Sequence, residues 1–90
     1  MKSRLICYSL KGKNAVERMK FQREMYGFKD LSNNGRYSYR RKGLMDSIPH
    51  KKILDSVIIV SPFDAKSVIR LLKKFRVKIY AFDVLRKIRV

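Results

Sequence analysis

Residues 57–60, Val-Ile-Ile-Val, are an unbroken β-branched run, and the four residues after them, Ser-Pro-Phe-Asp, have the form of a helix start. A short continuous run of this kind predicts a strand in the middle of a sheet. Ser61 predicts an N-cap, Pro62 fits the first helical position, and Asp64 fits the third. Ala65, Val68, Ile69, Leu72 and Phe75 follow at helical spacing, which makes a stripe that faces the sheet. Lys66, Arg70, Lys73 and Lys74 fall outside that stripe. A central strand thus runs directly into a helix that covers it, and this restricts the chain to mixed architectures.

The remaining segments extend the pattern. Residues 3–10 are β-prone and mostly apolar, which predicts a strand. Lys11-Gly12-Lys13 reads as a turn. Asn14 then predicts an N-cap with Glu17 three residues on, and the helix runs to Tyr26 and stops at Gly27. Ala15, Met19, Gln22 and Tyr26 share one face of it at helical spacing. Residues 28–35 read as a loop ending in the Asn34-Gly35 turn signal. Residues 36–42 bring tyrosines at period two and predict a strand. Residues 43–53 read as a connection through Pro49, with Leu44, Met45 and Ile48 tucked against the core. Residues 76–82 alternate again and predict the last strand, which the tail to Val90 extends. The order β-α-β-β-α-β predicts an α+β fold of the ferredoxin-like split βαβ type. That fold is a four-stranded antiparallel sheet of order 4-1-3-2 with two helices on one face. Residues 1–90 make one domain, without repeat or linker.

Charge decides the class of partner. The chain holds 23 Lys and Arg against 7 Asp and Glu, a net charge of +16. An excess of this size repels itself in a compact state, and a polyanion relieves the repulsion while releasing its own counterions. Basic residues interleave with apolar ones in every third of the chain, which fits a folded body with basic faces rather than a basic tail. The alternative is a chain that is merely basic, with no polyanion partner. One cysteine, Cys7, excludes an internal disulfide, and its neighbours Leu5 and Ile6 suggest a buried thiol. One cysteine and one histidine are too few for a Cys/His zinc site. No apolar run approaches the roughly 20 residues of a membrane helix, and the first ten residues lack a secretory signal. An intracellular, cytoplasmic protein is expected by elimination, with no cofactor and no small-molecule substrate.

The densest candidate site is residues 32–42. On a strand, Arg36, Ser38, Arg40 and Lys42 point one way and Tyr37, Tyr39 and Arg41 the other. Guanidinium groups fork onto phosphate and tyrosine rings stack on unpaired bases, so the mixture suits RNA. The competing reading is an edge strand whose tyrosines pack the core. A second patch comprises Lys66, Arg70, Lys73, Lys74, Arg76 and Lys78, with no acid between Asp64 and Asp83. Lys11 and Lys13 precede a helix N-terminus, a favourable place for phosphate. Lys51 and Lys52 stand beside His50 in a basic segment that reads as a surface contact. Arg86, Lys87 and Arg89 form a possible basic arm. No carboxylate pair stands at metal-ligand spacing, and no phosphate-binding loop or nucleophile elbow occurs.

The element order resembles RNA-recognition-motif domains and other ferredoxin-like domains, among them small ribosomal proteins and small CRISPR-associated nucleases. The resemblance spans nearly the whole chain. It implies RNA binding on this fold. The third strand, residues 55–61, has no aromatic where a recognition motif carries several. Tyr8-Ser9-Leu10 ends the first strand where the nucleases carry an aspartate. The expected function is therefore non-enzymatic RNA binding. The composition resembles that of a ribosomal or ribosome-associated protein, with ribosomal RNA and neighbouring ribosomal proteins as partners. Two alternatives are an RNA-processing nuclease subunit using a tyrosine, His50 and a lysine without metal, and a DNA-binding or chromatin protein.

Overall fold

The structure, a computed structural model, describes residues 2–32 and 35–85. In chain order the elements are β1 (Lys2–Ser9), α1 (Ala15–Tyr26), β2 (Phe28–Ser32), β3 (Tyr37–Arg41), a 3-10 turn (Leu44–Ser47), β4 (His50–Leu54), β5 (Val57–Val60), α2 (Pro62–Lys74) and β6 (Lys78–Leu85). The class is α+β, with two helices and a four-stranded antiparallel sheet of order β4-β5-β1-β6. A separate two-stranded sheet, β2-β3, accompanies it, so there are six strands among the described residues where the sequence reading expects four.

The β-branched run does lie inside the larger sheet. In the β1–β5 register Ile6 pairs with Ile58 and Leu5 with Ile59. Because side chains alternate, Ile6, Tyr8, Ile58 and Val60 share one face. That face is the core: Ile6 and Ile58 are 0% exposed. It meets Phe21 and Met25 of α1 and Ala65, Val68 and Leu72 of α2. Phe21 sits edge-on to both Tyr8 and Phe75, with ring centroids 5.4 and 5.6 Å away. Burying one such aliphatic or aromatic side chain stabilises the fold by about 1.5–3 kcal/mol.

Both helix starts form as the sequence predicts. The Asn14 side chain accepts the Glu17 N–H at 2.8 Å, and Ser61 Oγ accepts the Asp64 N–H at 3.1 Å. α1 stops at Gly27, which takes a φ of 80° and donates its N–H to the Arg23 carbonyl at 2.8 Å. The buried stripe of α2 is the expected one. That of α1 is not: Ala15, Met19 and Gln22 are exposed, and Phe21 and Met25 are buried instead. One turn of helix separates these two, and α1 has no wider apolar stripe to reveal which face turns inward.

Three further expectations change. Residues 28–32 are a strand rather than a loop, because they pair with β3 from Phe28↔Arg41 to Ser32↔Tyr37. The 36–42 strand, observed over Tyr37–Arg41, stays out of the larger sheet; all of its residues are exposed, so it brings no apolar face to bury there. Its expected place is taken by β4, which pairs with β5 through a bulge between Lys52 and Leu54. β4 reads His-Lys-Lys-Ile-Leu and is exposed throughout, as suits an edge strand guarded by lysines. Met45 and Ile48 are buried against the core as expected. The last strand is β6, which starts two residues later than expected and runs to Leu85. Asn34 and the basic arm from Arg86 lie outside the described residues. Among the described residues, no helix is long and apolar enough to cross a membrane.

Candidate nucleic-acid interface

The β2–β3 hairpin is an arm set on the end of α1. Its two feet are Gly27 and Gly43, whose backbones come so close that a Cβ on Gly27 would collide with the Arg41 carbonyl and lie 2.8 Å from the Gly43 nitrogen. Asp46 latches this base. Its carboxylate accepts the Gly43 N–H at 2.7 Å and two Arg40 Nη2 contacts at 3.1 Å. The Gly43 hydrogen bond, then the Arg40 guanidinium, hold the Asp46 carboxyl below the usual range. Arg40 Nη2 also donates to the Tyr26 carbonyl at 2.6 Å, so it ties the arm to the helix.

Higher on the arm, Arg41 Nε donates to Asp30 at 2.9 Å while its guanidinium lies 5.1 Å from the Tyr39 ring centre. Arg23 reaches from α1 over the Phe28 ring at 4.5 Å. Tyr37 and Tyr39 are 59% and 47% exposed, so the tyrosines do not pack in the core. By register Phe28, Tyr37, Tyr39 and Arg41 share one face of the hairpin and Lys29, Leu31, Ser38 and Arg40 the other. Arg36 and Lys42 flank β3, exposed and without a carboxylate partner among the described residues.

The second expected patch is also at the surface. Lys66, Arg70 and Lys73 are exposed and surround a shallow groove with Ile69. The absence of nearby acids holds along the sequence but not in space for Lys74, whose Nζ meets the Glu24 carboxylate of α1 at 2.8 and 3.0 Å. Lys11 is exposed beside Gly12, whereas Lys13 is half-buried with its Nζ 3.9 Å from Glu17. Lys51 and Lys52 lie on β4, with Lys52 Nζ 3.9 Å from Asp55 and 4.7 Å from the Tyr26 ring centre. The candidate residues therefore do not converge on one patch. They cover the arm, the outer side of α2 and the β4 edge.

The carboxylates are all in use. Asp83, Glu17, Asp46, Asp30, Asp55 and Glu24 pair with Arg4, Lys13, Arg40, Arg41, Lys52 and Lys74, and Asp64 accepts the Ser61 hydroxyl at 3.0 Å. The remaining cations have no carboxylate partner among the described residues. His50 is exposed, with Nδ1 2.7 Å from the Ile48 carbonyl and no carboxylate partner among the described residues. Tyr8 donates to the Asp55 carbonyl at 3.1 Å beside the Tyr26 hydroxyl at 3.3 Å, and burial, then that hydrogen bond, keep its phenol protonated far into alkali. Among the described residues no group of three His, Cys, Asp or Glu side chains could hold a metal ion.

One surface escaped the sequence reading. The side of the larger sheet away from the helices carries Leu5, Cys7, Val57, Ile59, Tyr80 and Phe82 by register. Tyr80 and Phe82 are 48% and 55% exposed, and Cys7 is only half-buried. The period-two aromatics on β6 are the same kind of signal as those on β3, and they pointed to it. The chain matches no protein-family model, no curated protein and no solved structure.

Proposed function

We propose that this protein binds RNA without catalysing a reaction, as a structural component of the ribosome or another large ribonucleoprotein in the cytoplasm. Ribosomal RNA is the partner that the charge suits best, with neighbouring ribosomal proteins beside it. The observation that carries the reading is the exhausted acid complement. Six of the seven carboxylates lie within 3.9 Å of a basic side chain, Asp64 accepts the Ser61 hydroxyl, and exposed cations remain on three separate surfaces. Cations so distributed repel one another until an external polyanion threads between them. A single groove-facing patch would suit duplex DNA better. We also propose that the fold is a ferredoxin-like one with an added hairpin. The larger sheet, counted in chain order over its own strands, runs 4-1-3-2, with the hairpin inserted between its first helix and second strand.

The test is binding of a structured ribosomal RNA fragment across a salt series, with duplex DNA as competitor. Phosphate neutralisation over several faces gives log K against log salt a slope of roughly −4 to −8, at about −0.7 to −0.9 per phosphate. A slope near −1, or equal competition by duplex DNA, overturns the proposal. The same incubation without metal checks for cleavage, and cleavage lost in His50→Ala favours the nuclease reading.

A further inference from the structure

A cleft of about 330 Å³ opens between the start of α1 and the end of α2. Leu10 and Phe75, both partly exposed, form its apolar floor, backed by the buried Phe21 and Val77, and Lys13, Lys20, Lys74 and Arg76 line it with Glu17. An apolar floor with a few converging polar groups is the usual build of a small-molecule site, and this volume lies near the lower end of the range of such sites. The floor suits a flat ring. The rim suits an anion.

The charge on the rim is specific. Glu17 lies 3.9 Å from Lys13 Nζ, and Glu24 holds Lys74 Nζ at 2.8 Å. Lys20 and Arg76 have no carboxylate partner among the described residues. Two uncompensated cations match a phosphate monoester, which carries a charge of about −1.5 to −2 near neutral pH, better than a backbone diester with its single charge.

Arg76 adds a second observation. It is the one non-glycine residue with positive φ among the described residues, at 55°. Its N–H donates to the Lys73 carbonyl at 3.0 Å and the Val77 N–H to the Leu72 carbonyl at 3.0 Å, which is the Schellman closure of α2. Glycine ordinarily fills that position because a Cβ is strained there. The chain instead holds an arginine in the left-handed region, where its side chain lines the cleft.

We infer that this cleft binds one nucleotide bearing a phosphate monoester, with the base on the Phe75 side of the floor and the phosphate between Lys20 and Arg76. Two sources supply that chemistry, a phosphorylated RNA end and a free nucleoside monophosphate. The first source rests on the RNA-binding proposal and the second does not.

Calorimetric titration of the full chain with adenosine 5′-monophosphate, adenosine and inorganic phosphate tests the site. The monophosphate binds at least about tenfold tighter than either part alone, since floor and rim contribute together. Lys20→Gln with Arg76→Asn abolishes that advantage at unchanged melting temperature, because asparagine tolerates the left-handed region. Should the double variant unfold, Lys20→Gln alone, at an exposed helix position, makes the same comparison. Phosphate binding as tightly as the nucleotide, or nucleotide binding indifferent to the Lys20 and Arg76 variants, overturns the inference.

A short oligoadenylate with either a 5′-phosphate or a 5′-hydroxyl separates the sources. Tighter binding of the phosphorylated strand, lost in the Lys20 and Arg76 variants, assigns the cleft to an RNA end. Equal binding of the two strands with monophosphate binding retained assigns it to the free nucleotide. Oligomer binding without monophosphate binding removes the cleft and leaves the RNA proposal standing. Monophosphate binding without binding of the structured ribosomal RNA fragment removes the RNA proposal and leaves the cleft.

Discussion

The two sheets of this protein are held together by different physics. The four-stranded sheet is organised by burial: Ile6, Ile58 and the inward stripe of α2 are excluded from water together. The hairpin buries none of β3 and is held by backbone pairing, by the Asp46 latch and by Arg41 on Asp30. Exposed ion pairs contribute little stability, with a median of about 0–1 kcal/mol each. The body therefore owes little of its stability to ion pairs, and the arm offers its charges and rings outward without carrying the core. A protein built this way can vary its binding surface without risking its core.

The sharpest way to break that contrast is to mutate each sheet at its centre. We predict that Ile58→Ala, at the heart of the larger sheet, lowers stability by about 3 kcal/mol in urea unfolding. Tyr39→Ala on the arm should shift the same curve by less than about 1 kcal/mol. Equal losses would mean that the hairpin is part of the core. Gly27→Ala tests the joint between them. A side chain there meets the Arg41 carbonyl and the Gly43 nitrogen and must also hold a φ of 80°. We predict a loss of about 2 kcal/mol, larger than for any exposed position on the arm. A neutral result would show the joint to be slack.

In RNA binding the ranking should reverse. Tyr37→Ala with Tyr39→Ala is predicted to weaken binding to single-stranded RNA about tenfold, since one aromatic–base stack contributes about 1–3 kcal/mol. The melting temperature should stay within about 3 °C, less than a loss of 1 kcal/mol produces in a domain of this size. Affinity unchanged by that pair would confine recognition to charge. Lys66→Gln and Lys73→Gln on α2 should each lower the salt slope by about 0.7–0.9 while leaving discrimination between sequences alone. A change in sequence preference would show that α2 reads bases.

The smallest effect is expected from pH. The Asp46 carboxyl is held below its ordinary pKa in the fold, so its contribution is present above the unfolded value of about 4 and fades as pH falls through the folded one. Acidification below about pH 4 should release the base of the arm first. Amide signals of Gly43 and Arg40 should shift before those of Ile6 and Ile58, and simultaneous shifts would dissolve the distinction between latch and core.

The parts that were legible in the sequence are those set by local chemistry. The Asn14 and Ser61 caps, the stop at Gly27, the α2 stripe and the Val57–Val60 strand each follow from a few adjacent residues. The parts that were not legible depend on long-range pairing. β4 and β3 are both polar and strand-like, and nothing local says that His50–Leu54 joins β5 while Tyr37–Arg41 folds back on Phe28–Ser32. α1 hid its inward face because Phe21 and Met25 are only two residues among exposed apolar neighbours such as Val16 and Met19. The candidate residues on the arm and α2 were singled out by composition, and they lie at the surface. The cleft was missed because its lining is drawn from residues far apart in the sequence, such as Lys20 on α1 and Arg76 just past α2, 56 positions on.

The meeting of Gly27 and Gly43 carries a consequence for engineering and for descent. A loop whose two ends touch at the backbone is a closed excursion: the chain leaves the body and returns to the same point. Splicing Gly27 to the Gly43 side removes the arm and leaves the path through the larger sheet intact. A hairpin of other length or sequence is expected to fit the same junction where both feet remain glycine and an arginine still reaches Asp46. The body is thus a host and the arm a cassette, joined at a seam where neither glycine has room for a side chain.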